Sequence, residues 1–473
     1  MIKRYLFPQD REISREVFVL ALPVIFSNLS RVFMSVVDVA MVGHLGPAAL
    51  AATGMGAMLF WGALSFMLGV RTAVQALSSR RLGQNLFHQC GTAFHNGIIL
   101  ALVFGAPLSL AGWSLAGKFV PFFIVDPIAT GLAVDYASII FLSLIFSSLS
   151  FVFQGFYTGI EKTRLHMNVT VFSNCLNMYL NAGLIYGTVG IREFLQNKLP
   201  ALEWLHLFWA WMDFPALGVS GAAIATVIAS AWMTVHYGLY LFAPSIRTKF
   251  QTTRFSLDMV MMKKQIRLAL PQGSQEVAIA VGWSFFYKIM GIIGLIELAA
   301  TELVFTIMHA SFMPAIGVGQ ACATLVGKYM GEKKIDRAST SIAESLRLAE
   351  YIMGFVGMLF ILFPHFFLSF FTTDPDVITL GVFALRVLGF LQFVDAVGIT
   401  LWFALSGAGN TFFPAVVESA LVWGLMLPAS WYFGVFLGTG FHGPWLVFPF
   451  YLIIFAAVMV WKIRKEDWKE IEV

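Results

Sequence analysis

The chain has 473 residues, 59% of them hydrophobic and 12% charged, with a formal net charge of +4. A soluble chain carries about 45–50% apolar and about 25% charged residues, so this composition excludes an ordinary soluble domain and points to a bilayer. In such a chain an excess of Lys and Arg sets orientation, and no nucleic-acid partner is expected.

Taken in order, residues 1–16 read as a cytoplasmic amphipathic lead-in. Crossing ~30 Å of hydrocarbon takes roughly 20 apolar residues. The first such stretch, Val17 to Val42, is too long for a signal-peptide core and lacks a small-residue cleavage site, so a retained helix in a chain starting at Met1 is expected. Residues 17–246 form a first lobe of six spans, centred near residues 30, 60, 104, 145, 176 and 230. An insert at about 191–216, with Trp204, Trp209 and Trp211, suggests an interfacial helix. Residues 247–265 read as a cytoplasmic linker and 266–463 as a second lobe, with spans near 280, 312, 358, 393, 425 and 452. Residues 464–473 are left as a cytoplasmic tail. Cys90, Cys175 and Cys322 lie too far apart for a disulfide framework or a metal cluster, and none of the nine histidines has metal-ligand spacing.

The two lobes are copies. Leu20-Ala21-Leu22-Pro23 recurs as Leu268-Ala269-Leu270-Pro271, an offset of 248 residues (271 − 23). The same offset carries Gly43 and Gly46 onto Gly291 and Gly294, Leu50-Ala51-Ala52-Thr53 onto Leu298-Ala299-Ala300-Thr301, and Gly83 onto Gly331. It also carries Asp10 onto Asp258, Asp126-Pro127 onto Asp374-Pro375, and Gly159 and Thr163 onto Gly407 and Thr411. A constant register of glycines, Asp-Pro turns and a proline-bearing helix start marks a duplication. The expected fold is therefore an all-α polytopic membrane protein: twelve transmembrane helices in two six-helix bundles, related by a pseudo-two-fold axis along the membrane normal. Twenty-three Lys and Arg, from Lys3 and Arg4 to Lys469, fall at the termini and in the even-numbered loops, against Lys118, Arg192 and Lys198 in the odd-numbered ones. That bias places both termini in the cytoplasm.

Charges inside spans are costly and mark candidate sites. Asp38 lies in the first span, with Arg31 seven residues earlier on the same face; the readings are a cation or proton site, or else a structural Asp38–Arg31 attraction or an aspartate near the outer interface. Asp395 sits in the apolar run Val387 to Leu405 beside Gln392, and Glu276 follows Pro271 by five residues, where the missing N–H can free a carbonyl. Two such carboxylates in one lobe could hold sodium through oxygen ligands or share a proton; for Glu276 a solvated helix end is the alternative. Asn174, Asn177 and Asn181 form one stripe of the fifth span, and Gln154 lies late in the fourth; each either glues helices or lines a chamber. Phosphate-binding, nucleophile-elbow and paired-cysteine motifs do not occur, so an enzyme is not expected.

These features together resemble a bacterial member of the multidrug and toxic compound extrusion (MATE) family of secondary antiporters. The resemblance rests on Pro23 with Val37-Asp38 and Gly43, the Gly-Val-Ser-Gly-Ala-Ala segment at Gly218, Leu-Val-Gly-Lys-Tyr-Met-Gly at Leu325, and Asp395-Ala396-Val397 before Ser406-Gly407-Ala408-Gly409-Asn410-Thr411. It implies two lobes forming a V in a bacterial inner membrane and export of organic, often cationic compounds against inward sodium or protons. No cofactor beyond that ion is expected, the partners are a small organic substrate and membrane lipids, and the protein is expected to be a monomer. Asp38 matches the family's first-span aspartate, with Asn177 and Asn181 as fifth-span partners; proton-coupled members often carry Asp where this chain has Asn181. Asp395 matches the tenth-span aspartate of sodium-coupled members, whose seventh-span glutamate lies about one turn beyond Glu276. Sodium is thus a candidate at Asp395, Glu276 or Asp38, and Arg31, Gln154, Asn174 and Gln392 are candidates to line the cavity. Two rivals are a lipid-linked oligosaccharide flippase, which would use basic residues such as Arg31, Arg71 and Lys288, and a membrane-embedded transferase.

Overall fold

The computed structural model describes residues 8–124, 126–198 and 200–472, with the side chains of residues 198 and 200–202 left aside. Lys3, Arg4, the chain start at Met1 and the side chain of Lys198 lie outside that description. Among the described residues there is no strand. The long helices are α1 (Arg11–Gly43), α2 (Pro47–Gly83), α3 (Phe87–Phe119), α4 in two pieces (Pro127–Phe141 and Ser143–Gly159) and α5 (Thr163–Lys198). They continue with α6 (Gly218–Leu241), α7 (Met259–Ile293), α8 (Leu295–Gly331), α9 (Ile335–Leu362), α10 (Pro375–Ala408), α11 (Phe412–Phe436) and α12 (His442–Arg464). Ten are long and apolar enough to cross a membrane, and the two pieces of α4, bent by 42°, make an eleventh if they form one span. The fifth expected span, α5, is long but carries Asn174, Asn177 and Asn181.

The repeat visible in the sequence sets where helices begin. Asp10 and Asp258 each cap a lobe's first helix, accepting from the N–H groups of Glu12 (2.9 Å) and Ile13 (3.2 Å), and of Val260 (2.8 Å) and Met261 (3.2 Å). Such a cap satisfies donors that a helix start leaves orphaned. Asp126 and Asp374 cap α4 and α10 in the same way, each followed by a proline whose missing N–H costs nothing at that position. Where the copies differ, the insert decides. Instead of one interfacial helix, α5 runs on through a break at Gly187 (φ +71°) to residue 198, and short helical turns at Pro200–His206 and Leu207–Ala210 fold back. Trp209 stacks on Tyr179 at 5.2 Å, and the indole N–H of Trp211 donates to the Tyr179 hydroxyl (2.7 Å), so the aromatic insert folds back onto the middle of α5.

The lobes exchange the N-terminal halves of their first helices, whose remaining halves stay in their own lobes. Ile13, Val17, Leu20 and Ala21 of α1 are buried in the second lobe's core, whereas Met261, Met262, Leu268 and Ala269 of α7 are buried in the first lobe's. The helix heads are pinned reciprocally: Glu344 of α9 accepts from the N–H of Gln9 (2.8 Å) and Asp10 (3.3 Å), and Asn96 of α3 bonds both backbone groups of Asp258. Expected lobe boundaries at 17 and 266 are therefore sequence boundaries, and packing crosses them.

Both described chain ends lie on one face, because Gln9 meets Glu344 there and Arg80, at the end of α2, donates to the Ile471 carbonyl. On that side the lobes are zipped. Gln75 of α2 donates to the Gln320 carbonyl (2.8 Å) and the Thr324 hydroxyl (3.0 Å) of α8, and Lys328 pairs with Glu161 at 2.7 Å. Gly69 lies so close to α7 that a Cβ would sit 2.3 Å from the Ala269 carbonyl. Toward the other face α1, α2 and α7 expose Phe33, Val36, Met58, Trp61, Phe285 and Ile292.

Candidate functional site

Asp38 does not pair with Arg31; among the described residues no ion pair joins them. Its carboxylate turns instead to α5, where the Asn181 amide donates to Asp38 Oδ1 at 2.5 Å and to Asn177 Oδ1 at 3.0 Å. Asn177 in turn donates to the Thr226 hydroxyl of α6 at 3.4 Å. The spacing of Asn177 and Asn181 explains this, since residues four apart on a helix share a face. Both amides are buried, Asp38 is half-buried, and the Asn181 Oδ1 atom is buried with no hydrogen-bond partner. The carboxylate and the unsatisfied amide oxygen are hard oxygen donors of the kind a hard monovalent cation takes among its ligands.

Asn174, the third member of the stripe, points elsewhere: it donates to the Ser30 hydroxyl of α1 at 2.7 Å and ties α1 to α5. Gln154 is buried on α4 with Oε1 unpartnered. Arg31 lies within electrostatic range of Arg71 on α2 and Tyr237 on α6.

In the second lobe Asp395 of α10 and Glu276 of α7 are half-buried, and no hydrogen bond joins them. Gln392 donates to the Ser311 hydroxyl of α8 at 3.0 Å. Glu418 of α11 lies within electrostatic range of both carboxylates. Glu418 accepts from the Gln275 amide and, at 3.3 Å, from the Tyr451 hydroxyl. Sequence reasoning missed Glu418, although a lone acid inside the apolar stretch Phe412–Phe436 was the same kind of signal as Asp395. No group of three His, Cys, Asp or Glu among the described residues is placed to hold a metal ion, so these acids do not close into one coordination sphere. The first lobe thus offers a connected carboxylate–amide network, the second a looser acidic region.

Comparison with known proteins agrees with this architecture. The family model described as MatE matches residues 23–182 and 276–431. A probable multidrug resistance protein NorM of Thermotoga maritima is 25% identical over 451 residues, covering 94% of this chain and 91% of its own length. The multidrug resistance protein NorM of Burkholderia vietnamiensis is 25% identical, with 94% and 92% covered. Among solved structures, the outward-facing conformation of a multidrug resistance MATE family transporter of the MOP superfamily superposes with a TM-score of 0.86 at 19% identity, over 97% of each chain. A eukaryotic MATE transporter superposes with a TM-score of 0.80 at 18% identity, again over 97% of each. Two matched segments that cover most of both lobes, on a helical fold of this kind, establish that the chain belongs to the MATE family of membrane transporters.

Proposed function

We propose that this protein is a cation-coupled antiporter that exports organic, drug-like or toxic compounds bearing a positive charge by alternating access. Its setting is a bacterial inner membrane with both termini cytoplasmic. Family membership and the names of the NorM relatives support export of drugs, and the positive-inside bias supports the orientation. The observation that carries coupling is the Asp38–Asn181–Asn177 network, with its unsatisfied amide oxygen beside a half-buried carboxylate.

An empty, ionised Asp38 inside the bilayer is expensive; sodium or a proton neutralises it. Sodium would take both oxygens among its ligands, and sodium is the ion this reading favours. Ion binding then stabilises one facing of the lobes and substrate binding the other, which is what coupling requires. One net charge moving down 100 mV yields about 2.3 kcal/mol, and since one-for-one exchange with a singly charged substrate moves no net charge, the potential drives export only when more than one cation enters per substrate. Asp38→Asn removes the charge while keeping shape. In proteoliposomes loaded with a fluorescent organic cation, ion-driven efflux should fall at least about tenfold, with unchanged insertion and monodispersity. Ion-driven efflux equal to that of the unsubstituted protein would reject the assignment.

A further inference from the structure

Where the first turns of α1 meet α9 there is a cavity of about 320 Å³, lined by Pro8, Arg11, Ser14, Arg15, Phe18 and Leu348. Arg11 and Arg15 are four residues apart, so they share one face of α1, and both are exposed. Neither forms an ion pair among the described residues. The acids around them are engaged elsewhere: Glu12 pairs with Arg337 at 2.6 Å, Glu16 accepts from the Tyr329 hydroxyl, and Glu344 pairs with Arg347. Asp10 already caps the helix start, so what the cavity offers a ligand is guanidinium.

The same face of α1 runs on through Phe18, Leu22 and Phe26, all exposed, and α9 exposes Phe355 and Met358 beyond Leu348. Two positive charges thus stand where the apolar run Val17 to Val42 begins, at the depth of lipid headgroups, and an apolar stripe leads from them toward the bilayer interior. The duplication supplies an internal control. Its offset of 248 carries Phe18 onto Ile266 (266 − 18) and relates Leu348 to Leu100 (348 − 100), and both of these line a cavity at the matching seam of α7. That cavity is only about 10 Å³ and has apolar residues alone around it, and Met259 stands where the first copy has Arg11. The fold by itself therefore does not make the site; the arginine pair and the wider opening are particular to α1.

We propose that this cavity binds one anionic phospholipid, of the phosphatidylglycerol kind, from the leaflet at the terminal face. Its phosphate oxygens accept from the Arg11 and Arg15 guanidiniums, whose planar forks match them, and an acyl chain lies along Phe18, Leu22 and Phe26. A choline headgroup would bring a third cation beside the two arginines, and a glycerol headgroup does not. The lipid ties the head of α1 to α9 of the second lobe.

The test is native mass spectrometry of the purified full-length protein, delipidated in detergent and offered equal amounts of phosphatidylglycerol and phosphatidylcholine with the same acyl chains. The first lipid retained should be phosphatidylglycerol by at least about tenfold. Arg11→Gln and Arg15→Gln should each cut that preference at least about threefold, and the double variant should bring it close to one. Arg15→Lys, which keeps the charge without the fork, should fall between. Lys263→Gln, at the position equivalent to Arg15, should leave the preference unchanged. Thermal melting is the second readout: phosphatidylglycerol should raise the midpoint of the unsubstituted protein and not that of the double variant, because a ligand stabilises only a state that binds it. An undiminished preference in the double variant, or an equal loss in Lys263→Gln, would reduce the effect to general surface charge and overturn the proposal. Displacement of the lipid by millimolar glycerol phosphate would assign the cavity to a soluble phosphate ester instead. A preference that rises when residues 2–7 are deleted would give the cavity to the chain's own head, and it too overturns the proposal.

Discussion

A carboxylate inside a bilayer is held by what surrounds it, and at Asp38 the surroundings are one amide donor and one idle amide oxygen. The identity of residue 181 therefore decides what the site can bind. With Asn, a second ligand oxygen is supplied without a second charge. With Asp, two carboxylates would lie within hydrogen-bonding reach, and like charges so close cannot both ionise, so they would share a proton. Asn181→Asp should keep efflux but move its driving ion, with sodium dependence falling and proton-driven efflux rising several-fold in vesicles where the two gradients are imposed separately. An unchanged ratio of sodium- to proton-driven flux would show that residue 181 does not set ion choice. That Asp38, Asn177 and Asn181 are candidates was legible from chemistry and spacing, and their pairing from the family resemblance alone. The pairings of Asn174 and Gln392 were not, because their partners, Ser30 and Ser311, are hydroxyls on other helices that no local pattern reveals. Arg31 misled for a related reason: sharing a helical face with Asp38 gives proximity along one axis, whereas the Asp38 carboxylate turns to Asn181 on α5.

At the scale of helices the duplication extends to backbone conformation. Asn85 and Lys333, equivalent under the repeat, both turn with φ +59°, and Glu161 (φ +62°) matches Gly409 (φ +95°). That agreement is why the order and capping of the helices could be read from spacing alone. The exchange of the N-terminal halves of α1 and α7 between lobes could not, since hydrophobic pattern says which face is buried and not against which bundle. The equivalent pair Gly83 and Gly331 shows what the exchange demands at the ends of α2 and α8. A Cβ on Gly83 would lie 1.9 Å from the Lys328 carbonyl, and one on Gly331 would lie 2.2 Å from the Arg80 carbonyl. Neither obstacle is a side chain that can rotate away. Overpacking of this kind costs about 1–3 kcal/mol, so Gly83→Ala should shift the closed terminal face toward open by roughly five- to hundredfold. Spin labels on cysteines at Gln84 and Lys334, both exposed, would report it as a longer-distance population. A distance distribution identical to that of Gly83 would mean the helices slide without loss and the seam is looser than its geometry.

For the molecule as a whole, the zipped terminal face is an energy that each transport cycle must overcome and recover. The proposed export therefore needs an interface strong enough to hold and weak enough to open. Hydrogen bonds from Gln75 to Gln320 and Thr324 are buried, but Lys328 and Glu161, at 2.7 Å, keep side chains 20% and 29% exposed. A pair so placed is worth about 0.2–1 kcal/mol, enough to tilt the equilibrium without locking it. Lys328→Met and Glu161→Gln should each raise the open terminal population up to about fivefold, and the double variant should do no more than either alone, because both remove the same interaction. The reversed pair, Lys328→Glu with Glu161→Lys, should restore the closed population, and raising salt should open the unsubstituted protein more than the double variant. The Gln84–Lys334 label pair measures all five proteins. Additive single effects, or no recovery on reversal, would show that the lobes are held at this face by helix packing alone and that the ion pair is incidental to the cycle.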